Sequence, residues 1–300
     1  MKILITGGTG LIGRHLCKAL LAGGHTLTVL SRKPATVAPK CGETVIAIRS
    51  LEAWQPEQSF DAIINLAGEP IVDSRWTQQR KQILWDSRVT LTQSLVERIS
   101  QARVKPQVLI SGSATGYYGN TGDTTVDETS SPGADFGANL CVAWEDAARA
   151  ASHSGVRVCL LRTGLVLSRE GGLLDRMLPA FKLGLGARLG DGRQWMSWIH
   201  IDDYVAGVLH LLNDASASGA FNMTAPQPVS NRDFTRKLAT ALHRPALFVA
   251  PAWLLKMALG EMAELLVGGQ KVLPQRLETA GYRFVHPELS EAFEHLLRNG

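Results

Sequence analysis

The stretch "KILITGGTGLIG", residues 2–13, decides the fold predicted for this chain. Lys2–Thr6 is a short apolar run that leads directly into glycines at positions 7, 8, 10 and 13, and a helix is predicted to begin at Leu11. Glycine permits a tight turn, lets the backbone approach a pyrophosphate and lets the helix pack closely on the strand. The first amides of that helix are free to bind phosphate oxygens. The spacing therefore predicts a dinucleotide site at Gly7, Gly10 and Gly13.

After this turn, the first two-thirds of the chain alternates short β-branched runs with amphipathic helical stretches. The predicted strands are Lys2–Thr6, Thr26–Leu30, Asp61–Asn65, Gln107–Ile110 and Val156–Leu161. The predicted helices are Leu11–Ala22, Gln78–Ser100, Phe136–His153, Asn231–Leu242, Glu288–Leu297, and one ending at Leu212 that Asp202 can cap. Alternating βα units predict a parallel sheet covered by helices on both faces. The fold class is therefore α/β, a Rossmann-like doubly wound parallel sheet with a smaller C-terminal lobe.

The predicted domain division follows a change of pattern after Leu161. Residues 1–165 are expected to form the nucleotide-binding domain, with later contributions from about 195–225. Residues 166–300 are expected to form mainly a substrate-binding lobe and a C-terminal helical region.

Composition excludes several classes of protein. The chain has 300 residues, 45% of them hydrophobic and 19% charged, which is typical of a globular protein. Its net charge of +4 comes from scattered Lys and Arg, so we expect no nucleic-acid partner. The four cysteines have no metal-ligand spacing, which favours reduced structural thiols. Glycines interrupt the N-terminal apolar run too early for a signal peptide, and no run of about 18 apolar residues predicts a membrane span. We expect a cytoplasmic monomer or homodimer with no membrane partner.

The end of the second predicted strand, "TLTVLSRKP", bears on the choice of cofactor. NAD(H) sites usually place an Asp or Glu there to bind the ribose hydroxyls. This chain has Ser31 and Arg32 instead, a hydroxyl beside a guanidinium that suits a phosphate dianion. We therefore predict NADP(H); the alternative is that Arg32 is an exposed turn residue. Farther along, "INLAGEP" places the small segment Leu66, Ala67 and Gly68 at the next strand end, facing the cofactor crevice.

Taken together, these motifs resemble the extended short-chain dehydrogenase/reductases of the NAD(P)-dependent epimerase/dehydratase type. The resemblance rests on "TGGTGLIG", "NLAG", "SGSATGYYG" and "WIHIDD", and "LCVAWE", "LRTGLVL" and "GGQKVLPQRL" narrow it to YfcH-type epimerase family proteins. It implies an NADP-binding domain in which Leu11 and Ile12 join the glycines at the phosphate turn. It also implies that Arg88 replaces an asparagine, and its charge suggests a contact with the cofactor or Glu69.

The resemblance implies a catalytic serine, tyrosine and lysine, but the chain keeps only the first. Ser113 matches the serine, while Phe136 and Leu140 stand where the tyrosine and the lysine are expected, and no lysine occurs between Lys105 and Lys182. Tyr117 is the candidate substitute for the proton donor. Glu69 is a candidate substrate contact because it lies near the predicted crevice in motif order. The resemblance implies that Arg193 and Trp195 lie where extended members often hold a substrate's phosphate or ring; the alternative is that both belong to an exposed loop. His200 with Asp202 and Asp203 is interpreted as a helix cap, and no metal is predicted.

Two hypotheses follow from this mixture of retained and missing motifs. The first is an NADP-dependent oxidoreductase or epimerase acting on a small polar molecule, such as a nucleotide sugar, with Ser113 positioning the reacting oxygen. The second is a non-catalytic NADP(H)-binding sensor or assembly protein, because cofactor binding does not require the missing tyrosine and lysine.

Overall fold

The computed structural model describes residues 1–298 of the chain. The strands, numbered in chain order, are β1 (Lys2–Thr6), β2 (Thr26–Leu30), β3 (Ile46–Ile48), β4 (Ala62–Asn65), β5 (Val108–Ala114), β6 (Thr125–Val126), β7 (Arg157–Thr163), β8 (Leu165–Leu167), β9 (Ala187–Leu189), β10 (Trp195–Met196), β11 (Trp198–His200), β12 (Gly219–Met223), β13 (Val229–Ser230), β14 (Phe248–Ala250) and β15 (Lys271–Val272).

Helices cover both faces of the main sheet and build most of the C-terminal lobe. They are α1 (Leu11–Ala22), α2 (Val37–Cys41), α3 (Gln78–Trp85), α4 (Leu91–Gln101), α5 (Phe136–Arg149), α6 (Gly172–Lys182), α7 (Ile201–Asn213), α8 (Asn231–Ala241), α9 (Ala252–Leu259), α10 (Glu264–Val267), α11 (Gln275–Thr279) and α12 (Leu289–Arg298). No helix within residues 1–298 combines the length and the apolar character needed to cross a membrane.

The main sheet confirms the predicted α/β, Rossmann-like class. Its order is β12-β7-β5-β4-β1-β2-β3, and every neighbouring pair is parallel. The order reverses between β1 and β4, which opens a crevice at the carboxyl ends of the strands, where such sheets bind ligands. All of its strands except β12 lie within the first 163 residues, and β12 joins the edge from the later part of the chain.

Two apolar cores lie on the two faces of the sheet. One includes Leu16 and Leu20 of α1 with Val208 of α7, and the other includes Leu95 and Ile99 of α4. A third core, centred on Trp198 and Phe293, holds the C-terminal lobe together. All four cysteines are free thiols buried in the interior.

Several predicted element boundaries were wrong for identifiable reasons. The single helix expected over Gln78–Ser100 is interrupted by a π-helical turn at Asp86–Thr90, and α5 ends at Arg149, where a 3₁₀ turn follows. The three-residue edge strand β3 was not predicted, because it is too short and too exposed to give an apolar pattern.

The cap of α7 was also misassigned. Asp202 lies inside the first turn of the helix, and the preceding His200 is the N-cap, with its side chain accepting from the Asp202 amide. A histidine ring nitrogen can fill the role of a carboxylate cap because it is also a hydrogen-bond acceptor.

Candidate functional site

The predicted phosphate turn has the geometry that its glycines suggested. Gly7 has a φ of +71°, and a Cβ added there would lie 2.6 Å from the Leu66 carbonyl carbon. A Cβ on Gly13 would lie 2.3 Å from the Gly7 carbonyl oxygen, so α1 packs on the turn only if this residue is glycine. Because α1 begins at Leu11 without a side-chain cap, its first-turn amides are left for an outside acceptor.

The segment Leu66–Gly68 is fixed against this turn by a buried polar network. The Leu66 amide donates to the Thr6 carbonyl at 3.1 Å, and the Ala67 amide donates to Thr6 Oγ1 at 3.1 Å. Thr6 in turn donates to Asn65 Oδ1 at 2.6 Å. Thr6 and Asn65 open the motifs "TGGTGLIG" and "NLAG", but neither was predicted as a site residue, since each lies at the buried end of its strand.

At the tip of β2, Arg32 forms an ion pair with a residue that follows β4. Arg32 Nη2 lies 2.7 Å from Glu69 Oε1, although the Arg32 side chain remains 88% exposed. The Glu69 carboxylate also lies 3.8 Å from Arg80 Nη1. The Ser31 hydroxyl accepts from the Lys33 amide at 3.2 Å, which shapes the turn that presents Arg32. The structure thus places Glu69, predicted to contact substrate, beside the residue predicted to bind the 2′-phosphate.

Arg88 lies on the π-helical turn and points back at the β4 loop. Its Nη2 donates to the Glu69 carbonyl at 2.9 Å, so the contact expected with Glu69 is made to the backbone. Its guanidinium lies 5.4 Å from the Trp144 ring centroid, and a Cβ added to Gly68 would lie 3.0 Å from Arg88 Cζ. The Arg88 guanidinium is largely shielded from water, and this burial lowers its pKa from the usual value. A wider helical turn at such a place is often functional.

Ser113, at the end of β5, donates to a buried carboxylate that the sequence interpretation missed. Its Oγ lies 2.8 Å from Glu145 Oε1 on α5, and Glu145 is fully buried. Arg162 of β7 binds both carboxylate oxygens of Glu145, at 2.8 and 3.1 Å. The strand register pairs Ser113 directly with Arg162. The available signal was an ionisable residue within each of the apolar runs "LCVAWE" and "VCLLRT".

The two tyrosines after β5 occupy different environments. Tyr118 is 3% exposed, accepts from Arg162 Nη1 at 3.0 Å and donates to Asn222 Oδ1 at 2.7 Å. Burial raises the pKa of Tyr118 to about 12, so its phenol stays protonated and structural. Tyr117 is only partly buried, and Arg162 stacks on its ring at 3.5 Å. Of the two, Tyr117 is the more exposed.

Helix α5 presents no proton donor of the usual kind toward Ser113. Phe136, Leu140 and Trp144 pack into an apolar cluster with Leu84 and Val89 of the neighbouring helices. The face near Ser113 carries Cys141 and Glu145, and burial raises the pKa of the Cys141 thiol to about 12. The helix therefore serves as a scaffold and as the carrier of the buried carboxylate.

The other predicted substrate contacts lie in the C-terminal lobe. Arg193 is exposed, and its backbone amide donates to Asp191 Oδ1 at 3.0 Å. Trp195 Nε1 donates to Asp123 Oδ1 at 2.9 Å, and Lys271 lies 4.6 Å from the Trp195 ring centroid. These contacts do not join Arg193 or Trp195 to Ser113 or Glu69.

A histidine cluster surrounds the start of α7. The Asp202 amide donates to His200 Nδ1 at 3.0 Å, and His200 Nε2 lies 3.2 Å from His295 Nδ1. Because Nδ1 accepts a hydrogen bond, the ring proton of neutral His200 lies on Nε2 and points at His295. A metal at Nε2 would have to displace that proton, so the arrangement suits a cap and hydrogen-bond chain better than a metal centre. Burial, with His286 and His295 adding to it, lowers the pKa of His200 to about 3.

Comparison with known proteins identifies the family. Residues 3–224 match the NAD dependent epimerase/dehydratase family, and residues 250–296 match a domain of unknown function, DUF1731. An epimerase family protein of Mycobacterium bovis is 43% identical over 300 residues, covering 97% of this chain and 95% of the relative. The chloroplastic SDR39U1 homologue of Arabidopsis thaliana is 38% identical, covering 99% and 87%. The crystal structure of human epimerase family protein SDR39U1 with NADPH has a TM-score of 0.91 and 35% identity, covering all of both chains. The chain therefore belongs to the NAD-dependent epimerase/dehydratase family, within its group of epimerase family proteins that carry a C-terminal DUF1731 domain.

Proposed function

We propose that this chain is an NADP(H)-dependent oxidoreductase or epimerase acting on a small polar substrate, with nucleotide sugars as the first class to test. The observation that carries the proposal is the turn in which Gly7 and Gly13 leave no room for a Cβ, at the open N-terminus of α1. Such a turn suits a pyrophosphate because backbone amides can reach its oxygens. The similarity to a human relative crystallised with NADPH supports the same conclusion.

The preference for NADP(H) over NAD(H) rests on Arg32. The residues that end β2, Leu30–Arg32, include no Asp or Glu of the kind that binds the ribose hydroxyls of NAD(H), and Arg32 is exposed at that position. Glu69 neutralises Arg32 in the structure, and a bound phosphate dianion would compete with that carboxylate for the guanidinium. Ser31, Arg32 and the first-turn amides of α1 would hold the phosphates, and Leu66–Gly68 would line the crevice.

When bound, the nicotinamide supplies or accepts a hydride. In this proposal Tyr117 moves the accompanying proton, because it is the accessible tyrosine after β5 and lies against the Arg162 guanidinium. Ser113 positions the reacting oxygen, and Glu145 fixes the Ser113 hydroxyl.

A second candidate is a non-catalytic NADP(H)-binding sensor. It is favoured by one specific observation: the Ser113 hydroxyl already donates to buried Glu145, and Ser113 is only 3% exposed. A serine held in this way stabilises the scaffold without touching a substrate. The two candidates share the cofactor site and differ only in whether turnover occurs. For both candidates we propose a reducing compartment such as the cytoplasm, because the four buried cysteines are free thiols.

The deciding experiment is NADPH oxidation with a panel of carbonyl compounds and nucleotide sugars, alongside cofactor titration. The enzyme proposal predicts one of two results with at least one compound: sustained NADPH oxidation for an oxidoreductase or, for an epimerase, which returns its hydride and leaves the cofactor unchanged, a stereoisomeric product detected by chromatography. Either activity should be lost in Tyr117→Phe while NADPH affinity is kept. Tyr282→Phe is the matched control, because it removes a phenol hydroxyl that donates to Asp203 Oδ1 at 2.8 Å and belongs to neither the proposed cofactor site nor the Ser113 site. NADPH binding without turnover on any compound would favour the sensor.

A further inference from the structure

A basic groove lies on the C-terminal lobe, among residues that neither the predicted cofactor site nor the predicted substrate contacts include. Its volume is about 560 Å³, and it lies between one face of α8, strand β9 and the turn that follows α8. The residues that define its chemistry are Arg188, Arg232, Thr235, Arg236, His243 and Arg244. The groove therefore gathers four guanidinium groups.

Three of these four arginines have no carboxylate partner within residues 1–298. Arg188 Nη1 and Arg232 Nη2 approach the same acceptor, the Asp191 carbonyl oxygen, at 3.5 and 3.3 Å. Arg244 donates only to the backbone carbonyls of Lys182 and His243. Two guanidinium charges that converge on one uncharged oxygen repel each other, and an anion bound between them would offset that repulsion. Only Arg236 is paired, with Asp233 at 2.7 Å.

The wall of the groove carries an unsatisfied hydroxyl. Thr235 is 4% exposed, and its Oγ1 has no hydrogen-bond partner among the described residues. A buried polar group without a partner costs free energy, so native proteins normally satisfy it.

The turn after α8, which closes one end of the groove, has an unusual backbone conformation. His243 in this turn has a φ of +52° and is the one non-glycine residue with positive φ in the part of the chain that the structure describes. That backbone is unfavourable for an L-residue and is more often occupied by glycine at a helix end.

We propose that this groove binds a phosphate group, held by Arg188, Arg232 and Arg244, with Thr235 donating its free hydroxyl after a rotation about χ1 turns the buried Oγ1 toward the groove. A phosphate supplies the negative charge and the several acceptor oxygens that these donors lack, and guanidinium groups bind it bidentately. The assignment is independent of the cofactor site, because it uses none of the residues of the glycine turn.

The phosphate could belong to a soluble phosphate ester or to a phospholipid headgroup. Exposed apolar side chains on the flanking segments, Leu183 and Leu247, leave both sources compatible with the groove. The two share the same phosphate chemistry and differ in whether an acyl chain follows, so one experiment with two arms separates them.

The site itself is tested by titrating the full chain with inorganic phosphate at constant ionic strength and following thermal unfolding. We expect phosphate to stabilise the wild type, and Arg188→Ala/Arg232→Ala to weaken its affinity by at least about tenfold, or about 1.4 kcal/mol. Arg103→Ala is the control, since it removes an exposed arginine that pairs with Glu57 and is not among the groove residues. Equal phosphate affinity in the wild type and the double variant, or an equal loss in the control, would overturn the site.

Thr235→Val separates binding from folding. It removes the unsatisfied hydroxyl while keeping the side chain's shape, so we expect unchanged or higher stability together with several-fold weaker phosphate binding. Phosphate affinity equal to that of the wild type in Thr235→Val would contradict the role of Thr235.

Co-sedimentation with vesicles of equal phosphatidylglycerol and phosphatidylcholine identifies a lipid source, whereas binding of glycerol 3-phosphate without co-sedimentation identifies a soluble ester. Either outcome is consistent with a phosphate site in the groove. A loss of cofactor binding in Arg32→Ala would not count against this site, because Arg32 is not part of the groove.

Discussion

Replacing Arg32 with alanine should weaken NADPH binding and leave NADH binding almost unchanged. A charged hydrogen bond contributes about 1.5–3 kcal/mol. From this must be subtracted the ion pair with Glu69 that the phosphate displaces, which contributes at most about 1 kcal/mol because the Arg32 side chain is 88% exposed. The difference, about 0.5–2 kcal/mol, corresponds to a roughly 2- to 30-fold weaker affinity for NADPH.

The assay is a fluorescence titration of both reduced cofactors against three variants. Lys33→Ala is the matched control, because it removes the same charge one residue farther along the exposed turn. Glu69→Gln should do the opposite of Arg32→Ala and tighten NADPH binding by up to about fivefold, since it frees the guanidinium. If Arg32→Ala weakened NADH as much as NADPH, or Lys33→Ala reproduced its effect, Arg32 would not be the selecting residue.

Three further perturbations test other parts of the account. Gly13→Ala should abolish NADPH binding and cost about 1–3 kcal/mol of stability in urea denaturation, because its Cβ would lie 2.3 Å from the Gly7 carbonyl oxygen; a fully binding variant would contradict the tight turn. Arg162→Met should cost about 3–5 kcal/mol by leaving Glu145 partly uncompensated, and adding Glu145→Leu should recover part of that loss; an additive further loss would argue against coupling. For His200, the pKa is about 3 when folded and 6.5 ordinarily, so the unfolded state binds more protons between those values and stability falls as pH drops through that window. From pH 7 to pH 5 the loss is about 2 kcal/mol, and it should disappear in His200→Asn, as chemical denaturation at each pH would show.

The parts of the fold that repeat a local pattern were predictable from sequence. The strand, glycine turn and helix over residues 2–22 were expected with the bounds that the structure gives. Alternating βα units, which fix a parallel sheet, also predicted the fold class. The π-helical turn at Asp86–Thr90 and the edge strand β3 were not predictable, because no glycine or proline marks the turn and the three-residue β3 is too short and exposed to give an apolar pattern.

The candidate site was only partly predictable, because its contacts cross long stretches of sequence. The cofactor turn is local, whereas the pairing of Arg32 with Glu69 and of Ser113 with Glu145 joins residues from different βα units. A buried ion pair such as Glu145 with Arg162 depends on the register of two strands and the packing of α5. Such pairs emerge only when the tertiary arrangement is known.

The central claim is that this chain binds NADP(H) through its glycine turn and selects the 2′-phosphate with Arg32. Isothermal titration of the purified protein with NADPH and with NADH tests it most directly. The account predicts one NADPH bound per chain, at least about tenfold tighter than NADH, a difference of about 1.4 kcal/mol. No measurable affinity for either cofactor, or tighter binding of NADH, would contradict it.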